Sequence, residues 1–301
     1  MPNPATVIAP AVRSYDGGTT SVTRTERWAT WVPNRGDILV CTPAKCGTTW
    51  TQTILAMLVH GGADLPAKLP VLSPWVDADL GVSASEVAQA LTAQPGRRVV
   101  KTHAPADGFP VWDGVTVISV YRHPLDVFFS VRKHTANIVH VGAEDLMNGS
   151  VSQAFQHWLN TPVSFDQFDA DFLASLAVHY TETALSGRLP GLKLFHYADM
   201  VRDGRRAVQA LAEAAEIDAD DRLIDRVTEA TAFGAMKAKA ADYAPVAGTG
   251  FWKSDHNFFD SASSRKWEGQ LSDEELGLYR DRLATLVPDA AARAWLEHDE
   301  G

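Results

Sequence analysis

Asp37-Ile-Leu-Val-Cys-Thr-Pro-Ala-Lys-Cys-Gly-Thr-Thr-Trp50 is an apolar strand that runs into a short loop and then into a helix. The continuous apolar run Ile38–Cys41 fits a strand buried on both faces, as in a parallel sheet. The loop carries one Lys and one Gly, and two hydroxyl residues follow at the expected helix start. Such a turn suits a phosphate. The first N–H groups of a helix lack internal partners, the helix dipole is positive at that end, and a Lys adds a full charge. The residue order is not that of the ATPase loop, in which Lys follows Gly and precedes Ser or Thr. Here Lys45 stands two residues before Gly47. The loop therefore reads as a site for a phosphate-bearing group held in another manner.

Outward from this loop, Trp50, Ile54, Leu55, Leu58 and Val59 keep helical spacing over 49–60, and Gly61-Gly62 ends the helix. Segments 98–101, 115–121 and 192–197 read as further strands. Segments 125–134, 171–186, 205–216, 220–230 and 272–286 read as helices, and Ser272-Asp-Glu-Glu275 has the form of a capping box. Strands separated by helices predict an α/β fold with a central, mostly parallel sheet flanked by helices, laid out like a P-loop kinase. In such sheets ligands sit at the carboxyl ends of strands. The polar loops at 42–48, 102–105, 122–125 and 198–200 all follow strands, so they are expected to meet at one edge.

The chain of 301 residues predicts one domain over 26–301, with 1–25 as a loosely ordered arm. The irregular, aromatic segment at about 237–262 is expected to be a lid. Two cysteines are too few for a disulfide framework, and a reducing, cytoplasmic location is expected. The net charge of −10 disfavours nucleic acid and anionic membrane as partners. No 18-residue apolar run predicts a membrane span, and the first residues lack the pattern of a secretory leader. No cluster has metal-ligand spacing, so no metal is expected.

Lys101-Thr-His-Ala-Pro105 ends a strand. Lys101 and His103 are two apart, share a face, and can aim at one pocket. A His near neutral pKa suits a general base, although alone it could equally cap the strand end. Arg122 ends the next strand and Ser130 follows eight residues on. Alone, they read as a surface Arg and a helix Ser.

Together these segments resemble the cytosolic-type sulfotransferase family, whose donor is 3′-phosphoadenosine 5′-phosphosulfate (PAPS) and whose nucleotide product is 3′-phosphoadenosine 5′-phosphate (PAP). The family's Pro-Lys-Ser-Gly-Thr-Thr-Trp stands here as Ala44-Lys-Cys-Gly-Thr-Thr-Trp50, and its Lys-Thr-His-Leu-Pro as Lys101-Thr-His-Ala-Pro105. Arg122, Asp126-Val127 and Ser130 keep the spacing of a third motif. Tyr197-Ala-Asp-Met200 and Thr231-Ala-Phe-Gly-Ala-Met-Lys237 are similar to two more.

The resemblance implies the following roles. Lys45, Cys46, Gly47, Thr48 and Thr49 hold the 5′ end of the nucleotide, with Gly47, Thr48 and Thr49 on its phosphate. Trp50 stacks on adenine, with Phe233 and Met236 nearby, and Tyr197 and Thr231 contact the base. Arg122 and Ser130 hold the 3′-phosphate. His103 takes the acceptor hydroxyl proton, Lys45 neutralises the leaving oxygen, and Lys101 neutralises the sulfuryl oxygens. Ser130 restrains Lys45 until an acceptor binds. No metal is required.

The chain departs from the family at its last motif. Aligned on Trp267, Asp260-Ser261-Ala262 stand where Arg-Lys-Gly are expected, and Arg265 and Lys266 are the expected replacements on the 3′-phosphate. Cys46, at a helix start beside Lys45, is either a neutral exchange for Ser or an oxidisable thiol. The acceptor is expected to be a small-molecule alcohol or amine. Trp75, Phe109, Trp112, Phe129, Phe251 and Trp252 are candidates to line its pocket. The Lys-x-x-x-Thr-Val-x-x-x-Glu pattern that pairs the animal enzymes is absent, which leaves a homodimer open. Two rival readings are a magnesium-dependent kinase and a nucleotide-binding protein without catalysis.

Overall fold

Strand β2 (Ile38–Cys41) is buried along its length. Its side chains alternate between two cores, with Ile38 and Val40 in one and Leu39 and Cys41 in the other. That is why its sequence is apolar throughout rather than alternating. The computed structural model describes residues 3–15, 22–165, 168 and 171–299. The sheet built around β2 also contains β3 (Val99–Thr102), β5 (Thr116–Tyr121) and β6 (Lys193–His196), in the order β3-β2-β5-β6. All three pairings are parallel. Register is pinned at the strand starts, where Arg98 Nη2 lies 2.5 Å from Asp37 Oδ2 and the Arg98 N–H donates to Asp37 Oδ1 at 3.0 Å. Both side chains are buried.

The helices are α1 (Thr48–Val59), α2 (Leu69–Leu72), α3 (Ala84–Ala93), α4 (Pro124–Ala136), α5 (Val151–Asn160), α6 (Leu173–Tyr180), α7 (Tyr197–Arg202), α8 (Gly204–Ala214), α9 (Asp221–Ala230), α10 (Phe233–Ala238), α11 (Ala240–Tyr243), α12 (Asp273–Leu286) and α13 (Ala290–Leu296). One core joins α1, α8 and α9 to the sheet through Ile54, Leu55, Val208, Leu211 and Val227. The other side is closed by α4, α5, α6, α12 and α13 around Phe128, Phe155 and Trp158. Capping boxes open α3, α5 and α12, the last at the expected Ser272 and Glu275. The helix expected over 171–186 is α6 followed by a π-helical turn at Thr181–Leu185. Among the described residues no helix is long and apolar enough to cross a membrane.

The expectation of a loose N-terminal arm is corrected for the described residues 3–15; residues 1–2 and 16–21 lie outside the described residues. β1 (Thr6–Ala9) pairs antiparallel with β4 (Val111–Asp113). Tyr15 is wholly buried, and its hydroxyl donates to Asp107 Oδ1 at 2.6 Å. The Pro- and Thr-rich composition concealed a segment tied down by one edge strand and one aromatic anchor.

The irregular segment around 237–262 is pinned to the end of α4. Trp252 is buried, forms an antiparallel bridge with Ile138, and donates its Nε1–H to the Pro245 carbonyl at 2.8 Å. Asn137 Nδ2 donates to the Ser254 carbonyl at 2.9 Å.

Candidate active site

The loops after β2, β3 and β5 meet at one sheet edge with the start of α7, which follows β6 directly, so the loop expected at 198–200 is helical; parallel strands put all four ends on that edge. A cavity of about 1340 Å³ lies there. Its wall includes Lys45, Gly47, Thr48, Thr49, Trp50, Lys101, His103, Arg122, Ser130 and Tyr197. It also includes Thr231, Phe233 and Met236, and, of the residues expected to line an acceptor pocket, Trp75, Phe251 and Trp252.

The turn into α1 is tight. Lys45 has φ 63° and Gly47 φ 96°. The left-handed conformation costs a non-glycine residue about 1–2 kcal/mol. A Cβ on Gly47 would lie 2.8 Å from Tyr197 Cδ2, so the loop backbone packs directly on that ring. Thr48 Oγ1, Trp50 Nε1 and Arg122 Nε, all at this corner, are buried without partners among the described residues. Buried donors of this kind ask for an acceptor. Arg122 is otherwise fixed: Nη2 donates to the Ser263 carbonyl at 2.8 Å, and its guanidinium lies 4.4 Å from the Tyr197 ring centroid.

His103 lies 2.6 Å through Nδ1 from the Thr42 carbonyl oxygen. A carbonyl can only accept, so Nδ1 carries the proton and Nε2 is the bare nitrogen. Lys101 Nζ donates to that Nε2 at 3.1 Å and sits 4.6 Å from the Trp75 ring centroid. Trp75 meets the imidazole edge to face at 4.6 Å. Burial, and after it the Lys101 charge, hold the imidazole well below its ordinary pKa. The ring is therefore neutral at pH 7 with its lone pair at Nε2, and the expectation of a near-neutral pKa is corrected. Burial also lowers Lys45 and Lys101, each to about 8. Asp171, on the cavity wall, opposes the shift of Lys45.

Sequence reasoning missed Asp171, and it missed His134. Lys45 Nζ lies 3.0 Å from His134 Nδ1, and this contact occupies Lys45 where restraint by Ser130 was expected. Ser130 lines the cavity one helical turn earlier. The signal available was that spacing, since residues four apart on a helix share a face.

Several expected residues do not reach the cavity wall. Phe109 and Trp112 belong to a separate core with Trp28 and Trp31, closed over by the β1–β4 pair. Phe129 packs on Phe128 at 4.9 Å, against the core on the far side of α4. The Cys46 side chain is wholly buried among Tyr121, Leu125 and Phe128, and burial raises its thiol to about 12. That environment opposes the oxidisable-thiol reading. Arg265 has φ 60° and turns outward, with Nε 3.6 Å from Glu268 and 3.7 Å from Asp299. Lys266 also lies off the wall; its Nζ donates to Asp260 Oδ2 at 2.8 Å. Asp260 itself is on the wall, with Ser261 and Ala262. Asp126 orders this turn by accepting the backbone N–H groups of Arg265 at 3.0 Å and Lys266 at 2.8 Å.

Residues 35–284 match the family model described as a sulfotransferase domain. A glycolipid sulfotransferase of Mycobacterium bovis (strain BCG / Pasteur 1173P2) is 32% identical over 290 residues, which cover 87% of this chain and 88% of that protein. Sulfotransferase 1C2 of Rattus norvegicus is 26% identical over 207 residues, covering 67% of this chain and 66% of that protein. Among solved structures, a retinol dehydratase in complex with androsterone and inactive cofactor PAP superimposes with a TM-score of 0.68 at 17% identity, covering 88% of this chain and 84% of that one. A mouse sulfotransferase complexed with PAP gives a TM-score of 0.66 at 13% identity, covering 90% and 91%. At these identities the two structures speak for the fold.

Proposed function

The chain belongs to the sulfotransferase domain family, and from that premise we propose that it transfers a sulfuryl group from PAPS to a hydroxyl of a small-molecule acceptor, with His103 as the general base. The side chains present suit the nucleotide. Gly47 leaves no room for a Cβ against Tyr197, and the buried Thr48 Oγ1 and Arg122 Nε offer unused polar atoms at the helix start. When bound, the nucleotide supplies the sulfuryl group and the phosphate that departs from it.

In this reading Gly47, Thr48 and Thr49 hold the 5′-phosphate at the start of α1. Trp50 faces adenine beside Phe233 and Met236, and Tyr197 and Thr231 flank the base. Arg122 and Ser130 hold the 3′-phosphate, and Lys266 adds a cation once it leaves Asp260. Lys45 exchanges His134 for the oxygen on which negative charge develops. Lys101 yields His103 Nε2 to the acceptor hydroxyl and keeps its charge beside the sulfuryl oxygens. His103 accepts the hydroxyl proton at Nε2, while its Nδ1–H stays on the Thr42 carbonyl and holds the ring in place.

The observation that carries this reading is the tautomer of His103. The 2.6 Å contact to Thr42 fixes a bare Nε2 on the cavity wall, which is what a general base needs. The test is His103→Ala. Sulfuryl transfer from PAPS should be lost, while calorimetry with PAP should show the nucleotide still bound. Substantial residual turnover would refute the assignment.

A further inference from the structure

His134 is a cavity-lining side chain whose second ring nitrogen the reaction above leaves unused. Its Nδ1 lies 3.0 Å from Lys45 Nζ. An ammonium has no lone pair, so the imidazole nitrogen accepts. A nitrogen that accepts carries no proton, and a neutral ring must then hold its proton on Nε2. Burial and the Lys45 charge both keep the ring neutral. Trp252 and Phe258 pack against it, with centroids at 4.7 and 5.7 Å. Among the described residues no acceptor for Nε2–H is found, while the ring lines the cavity beside Val131, Ile138 and Phe251. Of the imidazoles on the cavity wall, His103 and His134 are both neutral and of opposite character. His103 presents a bare nitrogen and His134 presents an N–H.

We propose that His134 is an acceptor-binding residue whose Nε2–H donates to a second oxygen of the molecule being sulfated, so that the chain favours hydroxyl acceptors with another hydrogen-bond-accepting oxygen near the reacting hydroxyl, as in sugars and polyols. The inference rests on the transfer reaction proposed above. An acceptor of this class meets both rings at once: its hydroxyl gives a proton to His103, and its neighbouring oxygen takes a hydrogen bond from His134. An N–H on a largely apolar wall selects for such an oxygen, because an acceptor without one leaves the donor unpaired.

Hexyl β-glucoside and 1-hexanol test the inference, since they share an apolar tail and differ in the sugar oxygens. His134→Phe keeps a ring between Trp252 and Phe258 and removes the N–H. His134→Gln keeps an amide N–H. Loss of the Lys45 contact would slow transfer to both acceptors alike, so the ratio of their kcat/KM values is the readout. The wild-type chain should prefer the glucoside. His134→Phe should lower that ratio about tenfold, the worth of one hydrogen bond, and His134→Gln should restore part of it. Calorimetry without the nucleotide should show glucoside affinity falling by a similar factor and hexanol affinity unchanged. A wild-type chain that prefers hexanol, treats the two alike or binds neither overturns the inference, as does an unchanged ratio in His134→Phe. Selective, His134-dependent binding of the glucoside without transfer to either compound would instead overturn the reaction and leave this inference standing.

Discussion

Gly47→Ala tests the claim that the phosphate loop is built by direct packing of its backbone on Tyr197. Two costs add. The residue holds φ 96°, and the left-handed region costs an L side chain about 1–2 kcal/mol. The new methyl would also lie 2.8 Å from Tyr197 Cδ2 and 3.1 Å from Cε2. Forcing a group of that size into a packed site costs about 1–3 kcal/mol. The restricted unfolded chain returns about 0.4–1 kcal/mol. The net expectation is a loss of about 1–5 kcal/mol by urea unfolding. Gly61→Ala is the internal control, because Gly61 has φ 67° and nothing within 4 Å of the added carbon. It should cost about 1 kcal/mol or less, the backbone term alone. Tyr197 also stacks under Arg122, so only the Gly47 variant should weaken PAP binding. Equal losses of stability in the two variants, or unchanged nucleotide affinity in Gly47→Ala, would refute the reasoning.

Three further outcomes follow from the geometry. Lys45 and Lys101 titrate near 8 in the fold against an ordinary 10.5. The unfolded chain therefore binds more protons on these two lysines between those values, and stability of the ligand-free protein should rise with pH from about 8 toward 9, above which the buried thiols, raised from an ordinary 9.0, offset the gain; PAP affinity should fall as pH rises through about 8 in wild type, and that step should vanish in Lys45→Met. Arg265→Ala should leave PAP affinity within about twofold, since its guanidinium serves Glu268 and Asp299, whereas Lys266→Met should weaken it about tenfold by calorimetry. Asp37→Ala strands the buried Arg98 guanidinium and should cost about 3–5 kcal/mol in chemical denaturation, with a smaller loss pointing to water reaching that pair.

The sheet was legible because β2, β3 and β5 carry short apolar runs and are followed by polar loops, and parallel strands put those loops on one edge. Lys45, Lys101, His103 and Arg122 were legible for the same reason. Each stands in or beside a strand end, where position follows from topology alone. His134 was not, because it lies ten residues into a helix-bearing segment after Pro124, and its contact with Lys45 depends on how α4 lies against the loop. Phe109 and Trp112 misled for a related reason. An aromatic ring is equally at home in a pocket or a core, and the choice here was made by β1, a strand hidden in a Pro- and Thr-rich stretch. Arg265 lies off the cavity wall beside Glu268 and Asp299, at a left-handed backbone position, and single residues in that region leave little trace in sequence.

The two cysteines bracket the phosphate loop, Cys41 at the end of β2 and Cys46 just before α1, and both are free and buried. Burial also pushes both thiols far above their ordinary pKa, Cys46 to about 12. Neither can meet a thiol reagent until the loop and the strand behind it open. The chain therefore carries two native clocks on its most important turn. Their labelling rates would report opening of the loop on one side and of the strand on the other, with no probe introduced.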